Sequence, residues 1–507
     1  MKKKIYNLKN LALIIKQKKK INKKIILCHG VYDVVHLGHI EHFKKAKSYG
    51  DILIVTTTND KFINKGPNRP YFSCEVRKKF LESIEHIDYV SDVSDDSAKP
   101  AIELLKPNFY CKGVDYKKSS DDVTNKINHE VKLVKKYNGK FIITDEVTYS
   151  STKILNDQNL ILNKDQNKEL INIKKNYDFE KIKNLFKKVK KLKILVVGET
   201  IIDKYHFCDS MGKSGKDPIM MFKKLNYENY LGGAGAIANH LAQYCNNVKL
   251  ISMIGDDNKY DRFIKSKLSK NIKSDFLIRK NSQTIVKEKF IDKVSNSKVI
   301  GFYDFNDDEL NQKDEKLVYN KLKKNIKNYD LMIVADYGHS LISNKNAKFI
   351  SKSKTFLAVN SQINAANIHH HSLDNFSRTN LTIINEAELR HQLRDKNSSV
   401  KVLLIKLKKI IKSKFFVITM GSRGAIIYDC EKNRFIESAS YASKVVDKIG
   451  SGDTMLSTLS IFLKISKDPS ISILLASLAA AQNVSYLGNS QNTDPKKILK
   501  ILQHLIS

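Results

Sequence analysis

The chain has 507 residues, too many for one ordinary hydrophobic core, and this length predicts two or three domains. Hydrophobic residues make up 41% and charged residues 28%, proportions that exclude a largely disordered chain. The net charge is +36, yet only nine of the 89 basic residues are Arg and the lysines are spread over the whole chain, so we expect compositional bias rather than nucleic-acid or membrane binding.

Cysteine usage and the absence of long apolar runs indicate a cytoplasmic protein. The six cysteines form no CxxC pair, which argues against a zinc site and against a disulfide framework. The basic stretch 1–21 has too short an apolar run for a signal sequence, and no run of about 18 apolar residues predicts a membrane span. We interpret His369–His371 as an exposed loop, because adjacent side chains point in different directions and rarely bind one metal ion.

Strands alternate with helices from the beginning of the chain. Strands are predicted at 24–28, 51–56, 89–90, 109–111 and 140–143, with helices over 40–48 and from about Cys74. This alternation indicates βαβ units and a parallel sheet that binds ligands at the carboxyl ends of its strands. We place this first α/β domain at residues 1–156.

A polar segment without Gly or Pro separates this region from a second one. Residues 157–190 are predicted to be a linker that ends in a helix, with apolar residues at helical spacing over 178–190. Residues 191–507 form a second, larger α/β domain with one wide sheet and a lid, with predicted strands at 193–198, 249–254, 331–335, 356–359 and 415–419.

The loop after the first strand carries two histidines around a glycine, directly before a helix. A helix start offers free N–H groups and a positive dipole end to phosphate, and Gly38 lets the backbone approach a triphosphate. His36 and His39 can donate hydrogen bonds to phosphate oxygens, and Lys44 adds positive charge from the helix. A metal pair or two incidental loop histidines remain alternatives for such a motif alone.

The first 155 residues resemble the cytidylyltransferase-like nucleotidyltransferases. The resemblance depends on the HxGH segment 30–39, on 65–70 with Arg77, on 106–108 with 112–116, and on the hydroxyl-rich segment 149–154. It implies a nucleotide- and phosphate-binding set of Gly30, Tyr32, Asp33, Gly38, Lys44, Lys112, Ser151 and Thr152. It also implies that Arg69 and Arg77 bind substrate, with a solvated charged face as the alternative for both arginines.

A second glycine-rich helix start lies near the end of the chain. Gly450, Ser451 and Gly452 precede an apolar helix and form a backbone nest suited to a phosphoryl group. Asp453 follows directly, where a carboxylate can take a proton from a sugar hydroxyl while the nest holds the developing charge. A glycine turn with a capping Asp is the alternative for this segment alone.

Residues 190–505 resemble the ribokinase-like (PfkB) sugar kinases. The resemblance implies catalysis by Asp453, sugar binding by Asp203, Gly232, Gly233 and Asn239, nucleotide contacts by Thr419, Gly421 and Gly424, and association of Asn385 and Glu388 with Mg²⁺ and phosphate. Three features depart from the pattern: Ala236 stands at a common Asn position, Glu199 at an Asp position, and an Asn-rich run, 360–367, replaces an Asp-Pro-Lys segment. They lie on the sugar side and affect the substrate rather than the phosphoryl-transfer centre.

The fusion as a whole resembles the bifunctional enzymes of ADP-heptose synthesis with the domain order reversed. It implies a kinase that uses ATP with Mg²⁺ and a nucleotidyltransferase that uses ATP or CTP with Mg²⁺, acting on phosphorylated sugars for a surface glycan. Relatives of both domains often dimerise, which suggests a homodimer. A regulatory protein with degenerate sites, and a glycerol-phosphate-type cytidylyltransferase fused to an unrelated sugar kinase, remain alternatives.

Overall fold

A computed structural model of the chain describes residues 3–113, 126–145, 162–363, 367 and 373–506. Ser151, Thr152 and His369–His371 lie outside the described residues. The chain folds into two compact units, one formed by Met1–Leu170 with Lys496–Ser507 and the other by Ile171–Pro495.

The first unit is built on a five-stranded parallel sheet in the order β3-β2-β1-β4-β5. Alternate residues of the central strand enter apolar clusters on opposite faces, Ile25 and Leu27 on one and Ile26 and Cys28 on the other, as a strand buried on both sides requires. The strands are β1 (Ile25–Gly30), β2 (Ile52–Thr58), β3 (Tyr89–Val93), β4 (Phe109–Lys112) and β5 (Lys140–Ile143).

Helices alternate with these strands, which confirms the predicted α/β class. The predicted helix over 40–48 begins three residues earlier than expected, because Leu37 and Gly38 already belong to its first turn. The helices are α1 (Leu8–Lys20), α2 (Leu37–Lys47), α3 (Cys74–Glu82), α4 (Lys99–Leu105) and α5 (Lys126–Lys136).

The second unit contains a nine-stranded sheet in the order β10-β9-β6-β13-β14-β15-β16-β17-β18. All neighbours are parallel except at one edge, where β17 and β18 turn back antiparallel. The strands are β6 (Lys193–Gly198), β9 (Asn247–Gly255), β10 (Ile272–Arg279), β13 (Leu331–Asp336), β14 (Phe356–Ser361), β15 (Arg378–Asn385), β16 (Lys412–Thr419), β17 (Ala425–Asp429) and β18 (Arg434–Ser438).

A separate four-stranded sheet in the order β12-β11-β7-β8 forms the predicted lid. Two of its strands are long and pair antiparallel as a hairpin, and the second of them is exposed along most of its length. The strands are β7 (Thr200–Lys213), β8 (Met220–Gly232), β11 (Val286–Asp292) and β12 (Lys298–Asp304).

Helices of the second unit complete the core around the wide sheet. Two helices that begin in glycine-rich segments, Gly233–Tyr244 and Ser451–Ser466, pack against each other and are apolar on nearly all sides. The boundary between the two units falls within α6 (Lys164–Lys174). The helices that follow are α7 (Phe179–Val189), α8 (Gly233–Tyr244), α9 (Asp261–Lys267), α10 (Gln312–Asn325), α11 (Asn344–Ser351), α12 (Glu386–Leu393), α13 (Val400–Ile410), α14 (Ser451–Ser466) and α15 (Pro469–Asn483).

The last helix, α16 (Pro495–Ile506), lies with the first unit, a placement that the sequence analysis did not anticipate. Ile498, Leu502 and Leu505 are buried, at the spacing of one helix face. The side-chain amide of Asn64 donates to the carbonyl of Lys497 at 3.3 Å. The chain therefore returns to its first domain after completing the second.

Two further findings bear on the sequence expectations. All six cysteines are free thiols, five of them buried. Among the described residues, no helix combines the length and the apolar character that crossing a membrane requires.

Candidate active sites

The first site forms where the order of strands in the sheet of the first unit reverses. The chain runs from β1 outward to β2 and β3, then returns to β4 on the other side of β1, and such a switch point leaves an open crevice at the carboxyl ends of the strands. His36 caps the start of α2 there. The rings of His36 and His39 stack with centroids 3.8 Å apart, so the two predicted histidines do come together at a helix start.

Tyr32 holds this histidine pair in place. Its backbone adopts a left-handed conformation, φ 49°, and its ring covers Gly30 so closely that a Cβ there would meet the ring at 2.9 Å. The same ring packs edge-on against His39, with centroids 5.3 Å apart. Gly30 and Tyr32 thus position the histidines from inside the site.

Lys112 lies on the opposite side of the switch point, at the end of β4. Its ammonium group donates to the carbonyl of His29 at 2.9 Å and is almost fully buried. Burial, followed by the charge of Lys112, holds the pKa of His29 well below its usual range. Sequence reasoning missed His29, whose ring bonds to Thr56 at 3.0 Å, because a histidine inside a strand looks like an ordinary core residue.

Two residues predicted to bind ligand, Asp33 and Arg77, have hydrogen-bond partners within the chain. The Asp33 carboxylate accepts the backbone N–H groups of Tyr71 and Phe72, both at 2.9 Å, and Nε of Arg69 at 2.8 Å. Arg77 is fully buried. Its guanidinium N–H groups donate to Val31, Thr57, Thr58, Asp60 and Phe72.

This arrangement corrects the prediction that Arg77 binds substrate. All its donors already have acceptors, so the side chain fastens α3 to the ends of β1 and β2. Gly38 is buried in the first turn of α2. Lys44 is exposed in the last turn, about 10 Å along the helix axis from its start, so the structure does not bring it to the histidines.

The second site forms at the start of α14. Gly450 has φ 82° and lies so close to Asn489 that a Cβ would overlap its side-chain oxygen. Gly452 faces open space, and the hydroxyl of Ser451 donates to the carbonyl of Lys448 at 2.8 Å. The predicted glycine turn thus forms at the start of this helix, with open space on the Cβ side of Gly452.

Asp453 occupies the first turn of that helix and accepts a hydrogen bond from the Tyr337 hydroxyl at 2.8 Å. Burial raises the pKa of Asp453 to about 6, and the neighbouring charge of Asp203 also raises it, while Lys287 opposes the rise. A carboxylate with this pKa is largely ionised at neutral pH and remains basic enough to take a proton.

Asp203 approaches the same region from the lid. It is buried and binds the ammonium group of Lys289 at 2.5 Å. A Cβ at Gly232 would overlap the carboxylate of Asp203, so glycine at this position makes room for that side chain. The next residue, Gly233, begins α8 with φ 57°. Lys287, which lies on β11 of the lid, is also buried, and burial lowers its pKa.

A buried pair of carboxylates beside this site was not predicted as functional. Glu199, which follows β6, accepts the backbone N–H groups of Tyr337, His339 and Leu341 at 3.1–3.3 Å. Burial and the charge of Asp336 raise the pKa of Glu199 to about 7, and burial raises that of Asp336 to about 7. Glu199 therefore shapes the loop that carries Tyr337.

Asn385 and Glu388 form a capping box at the start of α12. Each side chain accepts the other residue's backbone N–H at 2.8 Å. Burial raises the pKa of Glu388 to about 7, and the charge of Asp453 contributes, which places Glu388 within electrostatic reach of the second site. Within the described ranges, no three His, Cys, Asp or Glu side chains are grouped as metal ligands.

Asn239 does not join the sugar side of the site. Its amide donates to the carbonyl of Lys267 at 2.9 Å, and its oxygen accepts the N–H of Ser269 at 2.9 Å. This corrects the predicted substrate contact, since the side chain ties α8 to the end of α9. Asn367 is likewise structural, because its amide donates to the carbonyls of Tyr337 and Gln362.

The predicted nucleotide-side turn forms after β16. Thr419 is the last residue of that strand, Gly421 has φ 60° with open space where a Cβ would stand, and Gly424 has φ 83° against the carbonyl of Ser438. The N–H of Met420 donates to the carbonyl of Gly424 at 2.8 Å and closes the turn. The turn is open at Gly421, as backbone contact with a nucleotide requires.

Comparison with known proteins gives matches over both units. Residues 27–157 match the family described as cytidylyltransferase-like, and residues 191–497 match the pfkB family carbohydrate kinases. The protein named bifunctional protein HldE from Sulfurimonas denitrificans is 34% identical over 138 residues, which cover 27% of this chain and 29% of that protein.

A protein of the same name from Campylobacter curvus is 28% identical over 308 residues, covering 59% of this chain and 63% of that protein. The chain thus matches less than two thirds of each of these relatives. The matches give no support to the prediction that the domain order is reversed relative to them. A crystal structure of a candidate ribokinase from Agrobacterium tumefaciens superposes with a TM-score of 0.50 at 15% identity, over 62% of this chain and 98% of that one, and supports the fold.

Proposed function

The chain belongs to the pfkB family carbohydrate kinases, and from that premise we propose that it is a bifunctional transferase with a sugar kinase and a nucleotidyltransferase in one polypeptide. The kinase phosphorylates a heptose phosphate with ATP, and the nucleotidyltransferase joins a nucleotidyl group from ATP or CTP to a heptose 1-phosphate. Relatives named bifunctional protein HldE support the pairing of the two activities.

The position of Asp453 in the glycine-rich first turn of α14 carries the kinase proposal. A sugar hydroxyl gives its proton to the Asp453 carboxylate, its oxygen bonds to the γ-phosphorus of ATP, and the bond to ADP breaks. The free N–H groups of the helix start stabilise the charge on the transferring group. Asp203, over Gly232, is the carboxylate that would orient the sugar hydroxyls.

The lid supplies positive charge for a phosphorylated sugar. Lys287 and Lys289 are two residues apart on β11, so they project from the same face of the strand, and Lys289 already meets Asp203. An ammonium group beside the sugar-binding carboxylate would pair with a phosphate of the substrate. We therefore favour a sugar phosphate over an unmodified sugar.

The stacked histidines at the start of α2 carry the nucleotidyltransferase proposal. A phosphate oxygen of the sugar phosphate attacks the α-phosphorus of the nucleoside triphosphate, and pyrophosphate leaves. His36 and His39 would donate to the phosphate oxygens on which charge grows, beside the N–H groups of the helix. No covalent intermediate with the chain is required.

Mg²⁺ would enter both sites with the triphosphate. Glu388 fits a role in holding it at the kinase site, because it is a buried carboxylate within electrostatic reach of Asp453. The ion neutralises triphosphate charge when bound. The described part of the chain shows no group of acidic side chains that would fix a metal without the nucleotide.

Two further proposals concern the setting of the enzyme. Exposed apolar side chains on the lid strands, Met220, Tyr227, Ile300 and Phe302 among them, favour a homodimer formed through the lid. The free thiols and the need for nucleoside triphosphates favour action in the cytoplasm. Light scattering tests the dimer, which a monomer at micromolar concentration would contradict.

The kinase proposal is tested with Asp453→Asn. We expect ADP release from ATP and heptose 7-phosphate to fall by at least about 100-fold, because the variant lacks the base. In the wild type the rate should rise with pH through about 6, where Asp453 loses its proton. Asp217→Asn, an exposed carboxylate on the loop between β7 and β8, is the matched control. An unchanged kcat in Asp453→Asn would contradict the proposal.

A further inference from the structure

The first unit gathers basic side chains from distant parts of the chain. Lys65 and Arg69 lie on the connection between β2 and α3, Lys112 ends β4, and Lys500 lies on α16. The helix is fixed against that connection, because Asn64 bonds to the carbonyl of Lys497. On the same side, Ile501 and Leu505 lie 3.7 and 3.8 Å from the position that a Cβ of Gly66 would take.

The guanidinium group of Arg69 has an unused hydrogen-bond donor in this region. Its side chain is only 1% exposed, and Nε pairs with Asp33 at 2.8 Å. Nη2 is buried and has no hydrogen-bond partner. An unsatisfied guanidinium nitrogen costs free energy in the folded protein, and a planar Arg fork is well suited to phosphate oxygens.

The contacts of Lys497 and Ile501 hold the turn of α16 that carries Lys500 against the connection with Lys65 and Arg69, and the charge of Lys500 acts on the same groups. Burial lowers the pKa of Lys65 to about 7, and the charges of Arg69 and Lys500 lower it further, against Asp33. The pKa of His504, one turn after Lys500, is held well below its usual range by burial and then by Lys65. Lys65 and Lys500 are half-buried, and like charges held together at such a place favour binding of an anion there.

We propose that α16 completes the nucleotidyltransferase site and that Lys500 binds a phosphate group of a substrate together with Arg69. The proposal rests on the proposed nucleotidyltransferase function. The same phosphate chemistry is present in the nucleoside triphosphate and in the sugar phosphate. Lys112, which crosses the switch point to the carbonyl of His29, connects this basic group with the crevice beside His36 and His39.

The experiment compares Lys500→Gln with Lys496→Gln, which removes an exposed charge from the same helix one turn earlier. Calorimetry measures binding of inorganic pyrophosphate, CTP, ATP and heptose 1-phosphate to each full-length protein. We expect Lys500→Gln to bind one class of ligand with about tenfold lower affinity, the scale of one charged hydrogen bond. Lys496→Gln should bind all four ligands with the affinity of the wild type. Lys500→Arg keeps the charge and should restore most of the lost affinity.

The ligands separate the two sources of phosphate. Weaker binding of pyrophosphate, CTP and ATP assigns Lys500 to the triphosphate, and weaker binding of heptose 1-phosphate alone assigns it to the sugar phosphate. Wild-type affinity of Lys500→Gln for all four overturns the inference. If the wild type releases no pyrophosphate from any substrate pair while Lys500→Gln still weakens pyrophosphate binding, the proposed function fails and the phosphate site stands.

Discussion

Arg77 places a full positive charge in the interior of the first unit, where each of its N–H groups has an acceptor. Three of those acceptors are backbone carbonyls, which would be left buried without a donor if the side chain were removed. We expect Arg77→Met to destabilise this unit by about 3 kcal/mol, measured as a lower urea midpoint. The folded fraction should keep the wild-type KM for heptose 1-phosphate.

Lys79→Met is the matched control, since it removes an exposed cation from the same helix, α3. Its urea midpoint should stay close to that of the wild type. A raised KM with an unchanged midpoint in Arg77→Met would show that the guanidinium contacts substrate instead of fastening the helix.

At the scale of single elements, the ends of two neighbouring strands bring carboxylates together. Asp336 ends β13 and Glu199 directly follows β6, and the two strands are parallel neighbours. The pKa of each is raised to about 7 in the folded unit, so between pH 4 and 7 the folded unit binds more protons than the unfolded chain. These two carboxyl groups therefore raise the free energy of unfolding at low pH, and this contribution is lost as the pH rises through about 7.

Asp336→Asn removes one of these groups and the charge that raises the pKa of Glu199. The amide oxygen can still accept the N–H of Gly338, which Asp336 binds at 3.1 Å. We expect the urea midpoint of the kinase unit to fall less between pH 5 and 8 than in the wild type. Asp307→Asn, an exposed carboxylate before α10, should leave the slope unchanged. Equal slopes in Asp336→Asn and the wild type would contradict the pairing.

The elements also show which features could be predicted from the sequence. Apolar runs and glycine-rich helix starts are local patterns, so all five strands of the first sheet, five of the nine strands of the wide sheet and the positions of His36 and Asp453 followed from them. The partners of Arg77 and Asn239 depend on loops that only the folded chain brings near, and both were expected to contact substrate. The approach of Lys500 to Lys65 joins positions more than 400 residues apart, which no local pattern encodes.

For the whole molecule, each unit has its own parallel sheet, its own core and its own glycine-containing helix start. His36 and His39 belong to the first unit and Asp453 to the second, and we therefore propose that the two reactions are catalysed independently. We expect His36→Ala or His39→Ala to lower pyrophosphate release at least about 100-fold and to leave ADP release unchanged. Asp453→Asn should show the opposite pattern. Both reactions are measured on the same full-length preparations, and thermal melting verifies that each variant is folded. Loss of both activities in any single variant would contradict independent sites.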